Sequence, residues 1–400
     1  MALLSKRVQS VKPSATLVVA AKAKELRAAG RDVISLAAGE PDFDTPDHIK
    51  EAAIQAINDG FTKYTAVPGI VELREAIAQK FKTDNGLTYG IDQISVSTGG
   101  KQALYNIAQA TLNKGDEVII PAPYWVSYPD MVLLAQGVPV CVTTKEKEGF
   151  KLSAKTLKKN LTKKTRWVVI NSPSNPTGEA YTPEEYKALA EVLKAYPNVG
   201  VICDDIYEKL VYDGVEAPTF AQIVPEMQER CVIVNGVSKA YSMTGWRIGY
   251  AAGPKEIIKA MNTIQSQSTS GATSIAQKAA LAALTGSQEC LKPMVEAFTE
   301  RRNFVVDSLN AIDGLSCRRP PGAFYIYVNI GQLIGKKTPA GDTLGTSIDY
   351  CSYLLETQEV AAVPGVAFGL DPYFRISFPT SMENLQKAVD RIRASVEALS

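Results

Sequence analysis

Short apolar runs alternate with amphipathic helical segments through most of the chain, and this alternation limits the possible folds more than any other feature. Apolar composition predicts strands at 94–98, 117–120, 166–170, 200–204, 231–235 and 248–252. Helical periodicity predicts helices between them at 101–112, 182–195 and 254–265. Strands separated by helices need crossover connections, so the pattern predicts an α/β fold whose mainly parallel sheet is covered on both faces.

The pattern changes after about residue 290. A long helical segment over 291–311 is followed by strand-like runs at 323–329 and 373–378 and then by a closing helix. This order predicts a second, smaller α+β domain, onto which the N-terminal arm folds back. The expected division is a large domain at 45–290, and a small domain at 291–400 together with the arm at 1–44.

Two helix starts carry the signature of a capping box. In this motif a Ser or Thr side chain accepts a hydrogen bond from the backbone three residues later, and a Glu at that position bonds back. One helix is predicted to begin at Thr182, which is paired with Glu185 and followed by Pro183 at the first helical position. Thr380 with Glu383 predict the start of the closing helix.

Composition excludes several classes of protein. Lys and Arg total 43 against 42 Asp and Glu, so we expect no nucleic-acid partner. The single histidine, His48, excludes a zinc site built on two histidines, and we expect no metal. The six cysteines are widely spaced, which predicts buried thiols in a reducing cytosol. With no apolar run of about 18 residues and no secretory leader, the sequence predicts a soluble cytoplasmic protein without a membrane partner.

Polar residues that follow the predicted strands are the first candidates for function, because ligands of parallel sheets bind beyond the carboxyl ends of the strands. Gly99, Gly100 and Lys101 follow one strand and begin a helix, an arrangement that can hold a phosphate. Alone, a glycine pair is more often a tight turn. Asn175 lies in the segment 171–178, which by itself also reads as a turn.

A carboxylate and an amine follow two further strands. Asp204 ends an apolar strand and needs a hydrogen-bonded or cationic partner if it is buried. Lys239 follows another strand among apolar and small residues, where desolvation would lower its pKa and favour a Schiff base. Ser238 is not a hydrolase nucleophile, since Ala240 replaces the glycine of that turn and no histidine follows. A phosphate cradle, a hydroxyl-binding side chain, a carboxylate and an amine together match pyridoxal 5′-phosphate.

The sequence resembles the fold-type I, class I aminotransferases. Four motifs carry the resemblance in order, namely Asn175-Pro-Thr-Gly178, Asp204-x-x-Tyr207, Ser238-Lys239 and Arg247. It runs nearly end to end, through Val11 to Thr16, Gly39 to Phe43, Lys63-Tyr64, Pro123 to Trp125, Pro364-Gly365 and Phe374 to Ser377. The bacterial aspartate aminotransferase branch, which includes aspartate/prephenate enzymes, is the most similar. Its fold is a seven-stranded, mainly parallel sheet between helices with a smaller α+β domain.

The resemblance implies the residues that would bind the cofactor. Lys239 would hold pyridoxal phosphate as a Schiff base and move the substrate proton, Asp204 would pair with the ring nitrogen, and Tyr207 would bond the ring oxygen. These three are the implied catalytic residues. The other implied cofactor contacts are Asn175 at the ring oxygen, Trp125 on the ring face, Ser238, Arg247, Gly99, Gly100 and Lys101 at the phosphate, and Tyr64 at the phosphate of a second subunit.

The resemblance also implies how the substrate is held. Arg375 would bind its α-carboxylate, with Gly39, Trp125 and Asn175 beside it. Animal enzymes of this family use a partner-subunit arginine for the distal carboxylate, but segment 264–272 contains none here. In the bacterial branch lysines do this work, and Lys101 and Lys12 match those positions.

We therefore expect a homodimeric enzyme that moves the amino group between L-aspartate and 2-oxoglutarate, with prephenate as a further possible acceptor. An aromatic or alanine aminotransferase and a pyridoxal-phosphate C–S lyase are alternatives on the same scaffold. A non-catalytic regulator is a different class of alternative. It is disfavoured because no DNA-binding segment precedes the resemblance and every cofactor residue that can be placed is present.

Overall fold

The computed structural model describes residues 3–11 and 13–400. The strands within these residues are β1 (Ile34–Ser35), β2 (Ile94–Ser97), β3 (Glu117–Ala122), β4 (Val138–Thr143), β5 (Thr165–Asn171), β6 (Gly200–Asp204), β7 (Cys231–Gly236), β8 (Gly249–Ala252), β9 (Ser316–Cys317), β10 (Tyr325–Asn329), β11 (Val360–Ala361), β12 (Val363–Pro364) and β13 (Tyr373–Ser377).

The α-helices lie between and around these strands. They are α1 (Lys6–Gln9), α2 (Ala15–Ala28), α3 (Asp47–Asn58), α4 (Val71–Asn85), α5 (Gly100–Thr111), α6 (Ser127–Leu134), α7 (Ala154–Asn160), α8 (Pro183–Lys194), α9 (Phe220–Ile223), α10 (Lys255–Ser266), α11 (Ser274–Thr285), α12 (Lys292–Asn310), α13 (Ser347–Gln358) and α14 (Met382–Glu397).

A seven-stranded sheet in the order β2-β8-β7-β6-β5-β3-β4 forms the centre of the structure. All neighbours pair in parallel except β8, which is antiparallel to both β2 and β7. The predicted mainly parallel sheet is therefore confirmed. The reversed direction of β8 follows from its connection, because the segment between β7 and β8 contains no crossover helix.

Strand β4 was not predicted from the sequence. It lies at the edge of the sheet, half of its side chains are exposed, and it contains Pro139. An edge strand with one solvated side lacks the continuous apolar run by which the buried strands can be recognised.

Helices cover both faces of this sheet. Alternating side chains of β7 show the arrangement: Cys231 and Ile233 pack into the cluster formed with α3, α4, α8 and α11. Val232 and Val234 pack into the cluster formed with α5, α6 and α10. Because the strand is buried on both faces, its polar groups can be displayed only at its carboxyl end.

A second sheet, in the order β12-β13-β10-β9, is antiparallel throughout. Helices α12, α13 and α14 pack with it in a separate apolar cluster. Strand β1 of the N-terminal segment pairs in parallel with β11. The division into domains at 45–290, 291–400 and the arm 1–44 stays a prediction.

The two predicted capping boxes have different outcomes. At α8 the reciprocal bonds between Thr182 and Glu185 are present, as expected. At α14 the prediction was wrong by one residue, because Ser381 is the cap and its hydroxyl accepts from the backbone N–H of Asn384. Ser and Thr are both good caps, so two in succession do not determine which one is used.

The cysteines are less uniformly buried than predicted. Cys203, Cys231, Cys317 and Cys351 are buried, whereas Cys141 is exposed on the edge strand and Cys290 is partly buried. In the part of the chain that the structure describes, no helix combines the length and the apolar composition needed to cross a membrane.

Candidate active site

A cavity of about 280 Å³ opens where the carboxyl ends of β5, β6 and β7 meet the start of α5 and the second sheet. The cavity brings together most of the residues singled out from the sequence. Those that line it are Gly39, Gly100, Lys101, Trp125, Asn175, Asp204, Tyr207, Ser238, Lys239, Arg247 and Arg375. Gly99 lies directly behind, against Arg247.

Lys239 projects into this cavity from the loop that follows β7. Its amine donates a hydrogen bond of 2.5 Å to the carbonyl of Gly39. Burial lowers the pKa of Lys239 from 10.5 to about 8, although the negative charge of Glu40 opposes the shift. The nearby cations Arg247 and Arg375 lower this pKa further. A larger fraction of neutral amine is therefore present near neutral pH than an exposed lysine would have, and the neutral amine is the nucleophile.

Asp204 lies at the end of β6, beside Asn171 of β5 in the sheet register. Its carboxylate accepts a hydrogen bond of 2.5 Å from the Tyr128 hydroxyl, and only 6% of the residue is exposed. Burial raises the pKa of Asp204 to about 6, while the bonds from Tyr128 and from the Ile206 backbone and the charge of Lys239 lower it. The ionised carboxylate is thus supported by hydrogen bonds in a site that penalises its charge.

A chain of hydrogen bonds links this strand end to the second sheet. The Asn171 side chain donates to the Asp204 carbonyl at 2.7 Å and accepts from the Asn175 backbone N–H at 2.8 Å. The Asn175 side-chain oxygen then accepts from Arg375 at 2.9 Å. Asn171 therefore fixes the position of the loop that carries Asn175.

Arg375 enters the cavity from β13 and is almost fully buried. Besides Asn175 it donates to the carbonyl of Ala37 at 2.8 Å, and its guanidinium lies 4.4 Å from the ring centre of Tyr325. Its Nε has no hydrogen-bond partner among the residues that the structure describes. Because a buried guanidinium is costly without an anion, this arrangement is suited to a carboxylate ligand.

Tyr207 lies three residues after Asp204 in the chain and is buried. Its hydroxyl lies 2.8 Å from the hydroxyl of Tyr325, which is the first residue of β10. The hydroxyl of Tyr325 also lies beside Gly39. A Cβ atom at position 39 would be 3.0 Å from this hydroxyl oxygen. The two tyrosines therefore join the central sheet to the second sheet at the floor of the cavity.

Gly99, Gly100, Ser238 and Arg247 form a group around the start of α5. Gly99 has a φ of 83°, and a Cβ there would overlap the Arg247 guanidinium. Arg247 also has a positive φ, 57°, and it donates to the carbonyl of Thr244 at 2.8 Å. A helix N-terminus with unbonded N–H groups, a hydroxyl and a guanidinium is a site for an anion.

Lys101 and Trp125 form the wall beside this group. The Lys101 amine lies 4.9 Å from the ring centre of Trp125. Burial and the neighbouring Arg247 lower the pKa of Lys101, whereas Asp130 raises it. Ser14 and Thr16, at the start of α2, line the same side of the cavity.

Tyr64 does not line the cavity. Tyr64 is 98% exposed and belongs to the surface. Lys12 lies outside the described residues, so its expected contact with the substrate stays a prediction.

Two further tyrosines of the site, Tyr128 and Tyr325, were not predicted from the sequence. Both line the cavity and both bond a residue that was predicted. Tyr128 lies three residues after Trp125 in the sequence. A helical turn beginning near Trp125 would place the two side chains on the same face, and this spacing could have predicted Tyr128 as a site residue. No local sequence pattern identifies Tyr325 as a site residue, because an aromatic residue in an apolar strand is typical of the hydrophobic core.

Comparisons with known proteins identify the family of the chain. Residues 31–392 match the family model described as aminotransferase class I and II. The chain is 57% identical over 400 residues to the aspartate/prephenate aminotransferase of Cereibacter sphaeroides, and the match covers all of both chains.

Two solved structures are similar in fold over almost the whole chain. The crystal structure of the aspartate aminotransferase from Rhizobium meliloti has a TM-score of 0.97 and 51% identity, and the match covers 99% of each chain. The aspartate aminotransferase from Thermus thermophilus with maleate has a TM-score of 0.92 and 45% identity, and the match covers 99% of this chain and 100% of that one. The chain therefore belongs to the class I and II aminotransferases.

Proposed function

We propose that this protein uses pyridoxal 5′-phosphate to transfer the amino group between L-aspartate and 2-oxoglutarate, giving oxaloacetate and L-glutamate. One observation carries the proposal. A lysine amine whose pKa is lowered by burial, a buried carboxylate and a buried arginine with an unpartnered nitrogen all face the same cavity.

The residues of the cavity fit the cofactor. Among the residues that the structure describes, no lysine or arginine lies within 4.0 Å of the Asp204 carboxylate, which is nevertheless buried. A protonated pyridine nitrogen would supply the missing cation. The group formed by Gly99, Gly100, Ser238 and Arg247 offers backbone N–H groups, a hydroxyl and a guanidinium, which are suited to a phosphate.

When bound, pyridoxal phosphate supplies an aldehyde that condenses with amines and a protonated ring that draws electrons from the substrate Cα. The Lys239 amine would hold the aldehyde at rest and, once displaced, would take the proton from the substrate Cα. Asp204 would keep the ring nitrogen protonated, and the Tyr207 hydroxyl and the Asn175 amide would bond the ring oxygen. Trp125 would cover the ring face and exclude water.

Substrate recognition follows from the charges at the two ends of the cavity. Arg375 would bind the α-carboxylate in a two-bond pair, since its Nε and one terminal nitrogen can donate in parallel. Lys101 would attract the distal carboxylate, with Lys12 as the second lysine. The Thermus thermophilus relative was solved with maleate, a four-carbon dicarboxylate, which supports this class of ligand. The name of the Cereibacter sphaeroides relative extends the proposal to prephenate.

A second copy of the chain is the proposed partner. Tyr64 is 98% exposed, and Ile54, Ile57 and Val71 expose apolar side chains on the neighbouring helices α3 and α4. Tyr64 would reach the phosphate held by the other subunit. Sedimentation is expected to give a particle of twice 43.2 kDa, and a monomer that is fully active would contradict this part of the proposal. A cytoplasmic location stays a prediction.

The test is a panel of half-reactions. Cofactor-loaded protein is mixed with one amino acid at a time, without an oxo acid, while visible absorbance and oxo-acid release are followed. Aspartate and glutamate are expected to bleach the visible band once and to release one equivalent of oxo acid, faster than alanine or phenylalanine. Faster reaction of alanine or phenylalanine would favour those alternatives. Continuous pyruvate release without amine transfer would favour the C–S lyase.

A further inference from the structure

The hydroxyls of Tyr207 and Tyr325 form a buried pair in which either oxygen can be the donor. The two residues are 3% and 1% exposed, and their rings meet edge to face at 5.7 Å between centres. The direction of the bond has a chemical consequence. If Tyr325 donates, the proton of the Tyr207 hydroxyl is free for a ligand in the cavity; if Tyr207 donates, that proton is used within the protein.

The surroundings of Tyr325 make it the better donor. The Arg375 guanidinium lies 4.4 Å from its ring centre, and a nearby cation makes a phenol more acidic. Burial raises the pKa of Tyr325, and Arg375 lowers it. For Tyr207, burial, its neighbour Tyr325 and the negative charge of Asp204 raise the pKa, and Arg375 lowers it, with a net rise well above the ordinary value. Tyr207 is therefore the weaker acid of the pair. In a bond between two phenols the stronger acid donates.

The lack of a side chain at Gly39 also determines where the Tyr325 hydroxyl can lie. A Cβ at Gly39 would come within 3.0 Å of the Tyr325 hydroxyl, so the glycine leaves room for that oxygen. The same Gly39 accepts the hydrogen bond of the Lys239 amine. The Tyr325 hydroxyl therefore lies between Tyr207 and the backbone segment that holds the lysine.

We propose that Tyr325 is a positioning residue, whose hydroxyl donates to Tyr207 so that Tyr207 presents its own proton to the ligand, and whose ring supports Arg375. This inference rests on the proposed function. It links the arginine of the second sheet to the hydroxyl that acts on the ring oxygen of the cofactor. Tyr325 itself need not touch the reacting atoms.

The experiment follows the protonation of the linkage between Lys239 and pyridoxal phosphate through its visible absorbance as pH is varied. A donor at the ring oxygen weakens the hold of that oxygen on the linkage proton, so it lowers the midpoint of the titration. Tyr325→Phe removes the hydroxyl and keeps the ring. The midpoint is expected to rise by roughly half to one pH unit, the effect of one neutral hydrogen bond. The other groups facing Lys239, which are Glu40, Asp204, Arg247 and Arg375, are unchanged in the variant.

The direction of the shift separates the two orientations of the bond. If Tyr207 donates to Tyr325 in the wild type, removing Tyr325's hydroxyl releases Tyr207, and the midpoint falls. A fall, or no change, would overturn the inference. A wild-type protein without any visible band would overturn the proposed function as well, whereas a normal wild-type titration with an unmoved Tyr325→Phe midpoint overturns the inference alone.

Further variants guard against a purely structural effect. Tyr327→Phe is the matched control, since Tyr327 is buried two residues further along β10 and its hydroxyl bonds the Leu370 carbonyl instead. Its midpoint is expected to stay at the wild-type value. Because Tyr325 acts through Tyr207, Tyr207→Phe alone and Tyr207→Phe with Tyr325→Phe are expected to share one midpoint. Additive shifts would contradict the coupling.

If Tyr325→Phe does not fold, replacement of Tyr325 by 3-fluorotyrosine keeps its shape. The more acidic hydroxyl is a stronger donor, so the midpoint is expected to fall below the wild-type value. An unchanged midpoint in that protein would overturn the inference.

Discussion

The Tyr128 hydroxyl donates a 2.5 Å hydrogen bond to the Asp204 carboxylate, joining the first turn of α6 to the end of β6. Both side chains are buried, so the bond is shielded from water. It is one of the effects that oppose the rise in the pKa of Asp204 caused by burial. Tyr128 thus favours the charged carboxylate that the proposed function requires at the ring nitrogen.

Tyr128→Phe is expected to weaken cofactor binding. Loss of a hydrogen bond to a buried charged group costs about 1.5–3 kcal/mol, which corresponds to roughly 10-fold to 100-fold in the dissociation constant of pyridoxal phosphate. Equilibrium dialysis with the cofactor measures it. Tyr124→Phe is a suitable control, since Tyr124 lies on the same connection and its hydroxyl lies beside Cys141 rather than Asp204. Equal affinities in the Tyr128→Phe and wild-type proteins would contradict the role.

Asp204→Asn is expected to stabilise the cofactor-free protein near neutral pH. The folded pKa of about 6 is above the ordinary value of 3.8, so the folded state holds this proton more tightly than the unfolded state. The favourable contribution is fully present below pH 3.8 and is lost as pH rises through about 6. Above that pH, burial of the charge costs about 3 kcal/mol, which the amide avoids. Urea unfolding at pH 4.5 and 7.5 tests this, and a difference that is the same at both pH values would refute it.

The rate at which the cofactor-free protein takes up pyridoxal phosphate covalently is expected to rise with pH through about 8. Only the neutral Lys239 amine attacks an aldehyde, and burial lowers its pKa from 10.5 to about 8. Stopped-flow absorbance across pH 6 to 10 gives the profile. A rate that keeps rising with the profile of an exposed lysine would show that the amine is not desolvated.

Lys101→Met is expected to act selectively on dicarboxylate substrates. The variant removes a charge at the cavity wall while keeping an apolar stem beside Trp125. We expect kcat/KM for aspartate to fall roughly 10-fold to 100-fold, as for loss of a charged hydrogen bond, with alanine nearly unchanged. Lys194→Met, which changes a surface lysine of α8, is the control. Equal losses for aspartate and alanine would assign Lys101 to the cofactor instead.

The predicted strand ends explain why much of the site could be read from the sequence. Buried parallel strands appear as apolar runs, and the polar residues that follow them must gather at one edge of the sheet. Asp204, Asn175 and Lys239 were found in this way, and all three line one cavity.

Residues that reach the site from other elements could not be placed in this way. Tyr128 is 76 residues from Asp204 in the chain, and Tyr325 is 118 residues from Tyr207. Their contacts depend on how a helix and a second sheet pack on the first sheet, which periodicity does not determine. The antiparallel direction of β8 likewise could not be predicted from the sequence, because an apolar strand has the same residue pattern in either direction.

The proposed function depends on Lys239 being the amine that carries pyridoxal phosphate. Reduction of the cofactor-loaded protein with borohydride would fix the linkage irreversibly, and mass spectrometry of its peptides would locate the modified lysine. We expect the modification at Lys239 in stoichiometric amount, and none at that peptide in Lys239→Ala. Stoichiometric modification of a different lysine, or a reduced protein with no modified peptide, would contradict it.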